Sequence, residues 1–134
     1  PKVKEIPIKF FRDCINEHSD FIHLAGFQTK TEYTYVERWI TGDKGMIKRI
    51  LSNLFSNILK YGDKATPVSI KGSFTKQSYI LEISNAIKQQ NTGVESNHIG
   101  LMSVEKMMNQ LGGESAFSEE NGLFSVELKF QLMS

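Results

Sequence analysis

The sequence predicts an α+β fold, a two-layer sandwich of three helices packed on a mixed, mostly antiparallel sheet. Three observations predict it. The stretch "KGMIKRILSNLFSNILKY", residues 44–61, repeats apolar residues at helical spacing directly behind Asp43, a helix N-cap type. The runs "PVSIKGSF" and "SYILEIS" are strand-like and are separated by Thr75-Lys76-Gln77, a hairpin signal. The closing "GLFSVELKFQL" alternates Phe124, Val126, Leu128 and Phe130 on one face, as an amphipathic strand does.

The other elements follow in order. "VKEIPIKF" reads as a short strand, and "FFRDCINEHSDFI" has the apolar spacing of a helix over about residues 10–18, with Gly26 as the next punctuation. "FQTKTEYTYVERWI" is rich in Thr, Tyr, Val and Ile, so it reads as one or two strands ended by Thr41-Gly42-Asp43. The central helix closes at Gly62, with Pro67 beyond it. Residues 88–97, "KQQNTGVESN", are polar and without apolar period, which predicts a mobile loop. A third helix, "IGLMSVEKMMNQL", is stopped by Gly112-Gly113, and its Met102, Met107, Met108 and Leu111 read as core packing.

At 134 residues, 40% hydrophobic and 23% charged, the chain is long enough for one domain with a true core, so residues 1–134 are read as one unit. A formal net charge of +1 without a dense Lys/Arg run gives no argument for nucleic acid or an anionic membrane as partner. The single cysteine, Cys14, excludes an internal disulfide and a CxxC metal set and suits a reducing compartment. His18, His23 and His98 are scattered and form no ligand cluster. No apolar run approaches the ~20 residues of a membrane span, and no signal-peptide pattern is visible. The chain begins without Met, as an excised fragment would.

The informative oddity lies in "RILSNLFSNILKY". Asn53 and Asn57 are spaced i and i+4, and Lys60 and Tyr61 continue the same helix stripe, at the margin of the face made by Ile50, Leu51, Leu54, Phe55 and Ile58. An unpaired amide there costs about 1–3 kcal/mol, so either neighbouring loops or a ligand must satisfy these groups.

"NLFSNILKY" resembles the N box of sensor histidine kinases, and "HIGLMSVEKMMNQLGGE" resembles their second glycine box and the helix that ends in Gly-Gly before the closing hairpin. The order and spacing agree over nearly all of the chain. The resemblance implies the catalytic, ATP-binding domain of a bacterial two-component histidine kinase, a Bergerat fold shared with gyrase, with ATP and Mg²⁺ as cofactors. It further implies a phosphoacceptor histidine on a separate dimerisation domain of the same parent, a response regulator served by the full-length protein, and no direct membrane contact by this domain. Its implied location is the cytoplasmic side of a membrane-anchored kinase.

Carried over by position, Asn57 matches the asparagine that ligates Mg²⁺ bridging the nucleotide phosphates, and its amide oxygen suits a hard cation. Asn53 and Lys60 match phosphate contacts and are the catalytic candidates. Tyr61 matches the aromatic along the adenine or ribose. Lys60 has a lesser alternative as a solvated lysine near a helix C-terminus, and Tyr61 reads equally as a core aromatic with a wet hydroxyl. The family's ATP-hydrolysing relatives carry a glutamate one turn before the metal asparagine. Here that position is Asn53, and a carboxamide has no useful basicity toward water, which favours a kinase over an ATPase.

The chain departs from the pattern in several places. Asn85 stands where the family has an adenine-reading aspartate, and no glycine follows nearby in "LEISNAIKQQ". Its amide keeps an acceptor but by rotation could also donate, or it could simply end a strand. Ile87 at the head of the next loop is carried over as a nucleotide contact. In the second box only Gly100 remains, with Ser96 and His98 at the other two sites. Gly100 and Leu101 are expected to open a helix whose N-terminal N–H groups face the triphosphate. The loop over residues 87–99 is short, and Leu123 takes a position near the adenine where many members have threonine. Two readings result: an enzyme module, favoured by the intact N box, or a Bergerat scaffold for partner binding or dimerisation without nucleotide, favoured by the degenerate glycine boxes.

Overall fold

A computed structural model describes residues 4–34, 36–88 and 94–133, with the side chains of residue 4 and residues 94–100 outside the description. The chain order is β1 (Lys4–Pro7), α1 (Lys9–Leu24), β2 (Thr29–Tyr33), β3 (Trp39–Gly42), α2 (Lys44–Tyr61), β4 (Val68–Phe74), β5 (Ser78–Ala86), α3 (Val94–Gln110), β6 (Glu114–Glu120) and β7 (Leu123–Gln131). Five strands form a sheet in the order β2-β4-β5-β7-β6, parallel only between β2 and β4, and β1 pairs antiparallel with β3 in a small second sheet. The expected mixed, mostly antiparallel sheet under three helices is therefore the observed one.

Local chemistry accounts for the helix ends. The Met46 N–H donates to Asp43 Oδ1 at 3.1 Å, which makes Asp43 the N-cap of α2. Helix α1 runs six residues past the expected end at residue 18. Its buried stripe of Phe11, Cys14, Ile15 and Ile22 continues through Ser19, whose polarity hides the apolar period. The helix stops where Gly26 takes φ +101°, the Gly26 N–H donates to the His23 carbonyl at 3.0 Å, and the Phe27 N–H donates to the Ile22 carbonyl at 2.9 Å. This is a Schellman end, sealed by buried Ile22 and Phe27. Helix α3 ends the same way at Gly112, φ +76°, with the Gly113 N–H donating to the Met108 carbonyl.

The inward faces of β5 and β7 meet the helices. Tyr79, Leu81 and Ile83 from β5, and Val126, Leu128 and Phe130 from β7, pack with Phe11, Ile15, Ile47, Leu51 and Phe55. On α3, Val104 and Met108 are fully buried and Met107 and Leu111 are half-buried, but Met102 is 68% exposed, so the expectation that it packs in the core is corrected. Its position lies off the stripe made by Leu101, Val104 and Met108.

Residues 94–97 of the expected loop are helical, and residues 89–93 lie outside the described residues. Strand β6 escapes the residue pattern because it is a polar edge strand with only Ser115 and Phe117 turned partly inward. The turn after it, Asn121 at φ 52° and Gly122 at φ 80°, is of the primed hairpin kind, which Asn-Gly favours.

His18 stacks on Phe55 with ring planes 9° apart and centroids 5.0 Å apart. Burial pushes its imidazole below the ordinary value of 6.5, against a weaker opposite pull from Glu17. The fold therefore favours neutral His18: its contribution is complete above pH 6.5 and is lost as pH falls through the depressed folded value. Melting curves from about pH 7 to about pH 5 should show a falling midpoint, and His18→Phe should flatten that fall. An unchanged slope in the variant would assign the acid sensitivity to other groups.

Candidate functional site

Helix α2 carries the amide stripe at the edge of its buried face, as its spacing predicts. Ile50, Leu51, Leu54, Phe55 and Ile58 are buried, Asn53, Asn57 and Tyr61 are half-buried, and Lys60 is exposed. A cleft between α2 and the ends of β5 and β7 gathers Asn57, Tyr61, Asn85, Ile87 and Phe124 over a floor that includes Leu54 and Ile83. Asn53 lies one turn back along α2, and neither it nor Lys60 lines the cleft.

The polar groups here are unevenly satisfied. Asn57 Nδ2 is buried and has no hydrogen-bond partner among the described residues. Asn85, 4% exposed, donates from Nδ2 to the Ala86 carbonyl at 3.0 Å, which fixes its amide and leaves Oδ1 as the open acceptor. The rim is tied by backbone bonds. The Asp63 N–H donates to the Ala86 carbonyl at 2.8 Å, the Lys88 N–H to the Tyr61 carbonyl at 3.0 Å, and the Ile87 N–H to the Gly122 carbonyl at 2.9 Å. The cleft itself is narrow, about 10 Å³, the space of one water.

Two expectations are corrected. Because α3 begins at Val94, Gly100 and Leu101 do not open it. Their amides lie beyond the four free N–H groups of the first turn, and the Leu101 side chain, 7% exposed, joins the core. Leu123 pairs with Ala86 across the strands and is 45% exposed, on the face away from the cleft. The neighbouring Phe124, paired with Asn85, lines the cleft instead. Its alternation with Val126 marked it as inward, but only the register places it opposite Asn85. The side chains at Ser96 and His98 lie outside the described residues.

Among the described residues no group of three or more His, Cys, Asp or Glu could hold a metal. An amide-plus-phosphate metal site escapes such a cluster, so Asn57 is judged on its own chemistry. Its buried amide, with one orphaned donor and a hard oxygen, fits a metal bridged to phosphate.

No family profile matches the sequence. In sequence the chain is 26% identical over 118 residues to the sensor histidine kinase YrkQ of Bacillus subtilis (strain 168). That alignment covers 88% of this chain and 27% of the relative, so the chain spans about a quarter of the relative's length. In structure it is similar to the Acinetobacter baumannii histidine kinase AdeS, with a TM-score of 0.77 at 17% identity over 99% of this chain and 68% of the other. It is similar to the catalytic domain of histidine kinase ThkA, with a TM-score of 0.78 at 13% identity, covering 98% of this chain and 97% of the other. Full-length ShkA, solved in complex with AMPPNP, gives 0.75 at 16% identity over 100% of this chain and 33% of the other. The chain thus has the fold of histidine kinase catalytic domains. Among the described residues no helix is long and apolar enough to cross a membrane.

Proposed function

We propose that this chain is the ATP- and Mg²⁺-binding catalytic domain of a sensor histidine kinase, which phosphorylates a histidine on a separate dimerisation domain of its parent. The carrying observation is the orphaned, buried Nδ2 of Asn57 in the same cleft as the fixed acceptor of Asn85. Bound ATP with Mg²⁺ would supply the transferable phosphoryl group and neutralise its developing charge. Asn57 would give its oxygen to the metal and donate from Nδ2 to a phosphate oxygen, with Asn53 and Lys60 holding the phosphates outside the cleft. Tyr61 and Ile87 would flank the base. Because the rim backbone is tied, side chains such as Tyr61 and Phe124 must swing aside to admit a purine.

Position 53 offers an amide and no base, so water is not activated. The described histidines are engaged elsewhere, His18 stacked on Phe55 and His23 Nε2 bonded to Thr29 Oγ1 at 2.9 Å, which supports a nucleophile from another domain. The AMPPNP complex of ShkA, a protein of the same fold, supports the nucleotide. A response regulator as further partner, and a membrane-anchored parent with this domain in the cytoplasm, complete the reading.

Calorimetric titration of the chain with ATP and Mg²⁺ tests it. Saturable, Mg²⁺-dependent binding is expected, with phosphate release far below about one per second, an ordinary enzyme turnover. Release at that rate would replace the kinase with an ATPase. A second reading, a scaffold that binds partners without nucleotide, is favoured by the narrow cleft and by the helical engagement of Gly100 and Leu101. Absence of binding at millimolar ATP would overturn the nucleotide reading and leave the scaffold reading standing.

The anchored amide of Asn85 sharpens base choice. Its Oδ1 can accept from the adenine amino group but meets an acceptor in guanine, so ATP should bind at least about tenfold tighter than GTP. Asn85→Ala should bring the two affinities together, chiefly by weakening ATP. A ratio unchanged by that substitution would leave Asn85 only its strand-end role.

A further inference from the structure

The cleft that gathers Asn57 and Asn85 is too small, as it stands, for a base to enter. Its free space is about 10 Å³, whereas a cavity of about 150 Å³ holds a single benzene-sized ring. We propose that Phe124 is the gate of this cleft, a role that rests on the cleft being the nucleotide site. In the ligand-free chain its ring holds the place of the pyrimidine ring of adenine beside Asn85, and nucleotide binds only when a change of rotamer vacates that place.

Strand register singles out Phe124 among the lining residues. It is the direct cross-strand partner of Asn85, and both side chains face the cleft. The Cβ atoms of such a pair stand about 4.5–5.5 Å apart. A base that donates its amino group to Asn85 Oδ1 must come within about 3 Å of that oxygen, so ring and base compete for one volume. The other aromatic, Tyr61, ends α2 at the rim, where its carbonyl is tied to the Lys88 N–H, and it bounds the cleft from the helix side.

The closed form also seals a polar group. Asn57 Nδ2 is shut off from solvent without a partner among the described residues, so no phosphate reaches it until a wall of the cleft moves. Buried amides are normally paired, and a cleft shut permanently would leave this one unsatisfied for no gain. The ring has somewhere to go. On the other side of β7 its same-face neighbour is Glu119, which is exposed on the edge strand β6. Phe124 itself is half-buried and lies two residues past Gly122 in the hairpin turn. A change of χ1 carries the ring from one neighbour toward the other. Such flips are fast, so the gate acts by lowering the fraction of molecules that are open, and with it the apparent affinity.

Calorimetric titration of the parent chain, Phe124→Ala and Phe124→Leu with ATP and with ADP, each with Mg²⁺, tests the gate. Phe124→Ala should bind ATP at least about tenfold tighter than the parent, because the closed fraction vanishes. Phe124→Leu should fall between them. ADP should tighten by the same factor as ATP, since the gate faces the base and not the phosphates. Melting curves identify a variant that does not fold, and Phe124→Leu, which keeps much of the apolar volume, carries the test if alanine unfolds the chain. Unchanged affinity in the folded variants would overturn the proposal and leave Phe124 a fixed wall. Weaker binding would overturn it too, by making the ring a surface on which the base stacks. Both of those results leave the nucleotide site standing, because the parent binds ATP in each. No binding by the parent or by either variant would overturn gate and nucleotide site together.

Discussion

Asn57→Ala is expected to abolish Mg²⁺-dependent ATP binding while raising the stability of the ligand-free chain. On the binding side the substitution removes the metal-ligating oxygen and a donor to phosphate. Two charge-assisted contacts of about 1.5–3 kcal/mol each predict a loss of at least about a hundredfold. On the folding side the parent buries Asn57 Nδ2 without a partner, a penalty of about 1–3 kcal/mol that alanine removes. Alanine is also the better helix former in the middle of α2. The opposite signs separate the two roles: an asparagine kept for structure would lose stability on truncation and leave nucleotide affinity alone. Asn57→Asp should retain metal binding but lose the donor and set a carboxylate beside the phosphates, so it should bind ATP more weakly than the parent. Paired melting curves and titrations of the three proteins decide the matter. Tight Mg²⁺-ATP binding by Asn57→Ala would end the metal assignment.

Phe11→Ala should be the most destabilising single truncation among the described core aromatics, by about 3–5 kcal/mol. Phe11 is fully buried, and its ring centroid is 4.7 Å from that of Phe130 and 5.1 Å from that of Tyr79. Those partners sit on β7 and β5, so the ring joins the helix layer to two central strands. Its removal leaves a cavity walled by two aromatics held in sheet register, which cannot collapse inward. Against a total stability of about 5–15 kcal/mol, the loss is a large fraction, and a marginal chain would unfold. Phe11→Leu keeps much of the apolar volume and should lose less than half as much. Urea midpoints of the three proteins measure the series, and a loss below about 1 kcal/mol for Phe11→Ala would show that this contact does not hold the layers together.

Periodicity and end signals alone determined the parts of the fold they describe directly. Helix α2, its Asp43 cap, the β4–β5 hairpin and the inward face of β7 were legible because each is set by neighbours within a few residues. The amide stripe was legible for the same reason, since helical geometry alone puts Asn53, Asn57 and Tyr61 at the margin of a buried face. The extension of α1 through Ser19, the polar edge strand β6 and the early start of α3 at Val94 were not, because there the local pattern is polar and tertiary contacts or neighbouring turns decide. Asn-Gly at residues 121–122 was the available signal for the last hairpin. Only the tertiary structure decided which stripe members share a cleft. Asn57 and Asn85 lie 28 residues apart in sequence and meet because β5 ends against α2, and Phe124 joins them because strand register sets it opposite Asn85. The anchored amide of Asn85 and the orphaned Nδ2 of Asn57 likewise depend on where long-range packing leaves a partner or withholds one, and no local pattern of residues encodes that.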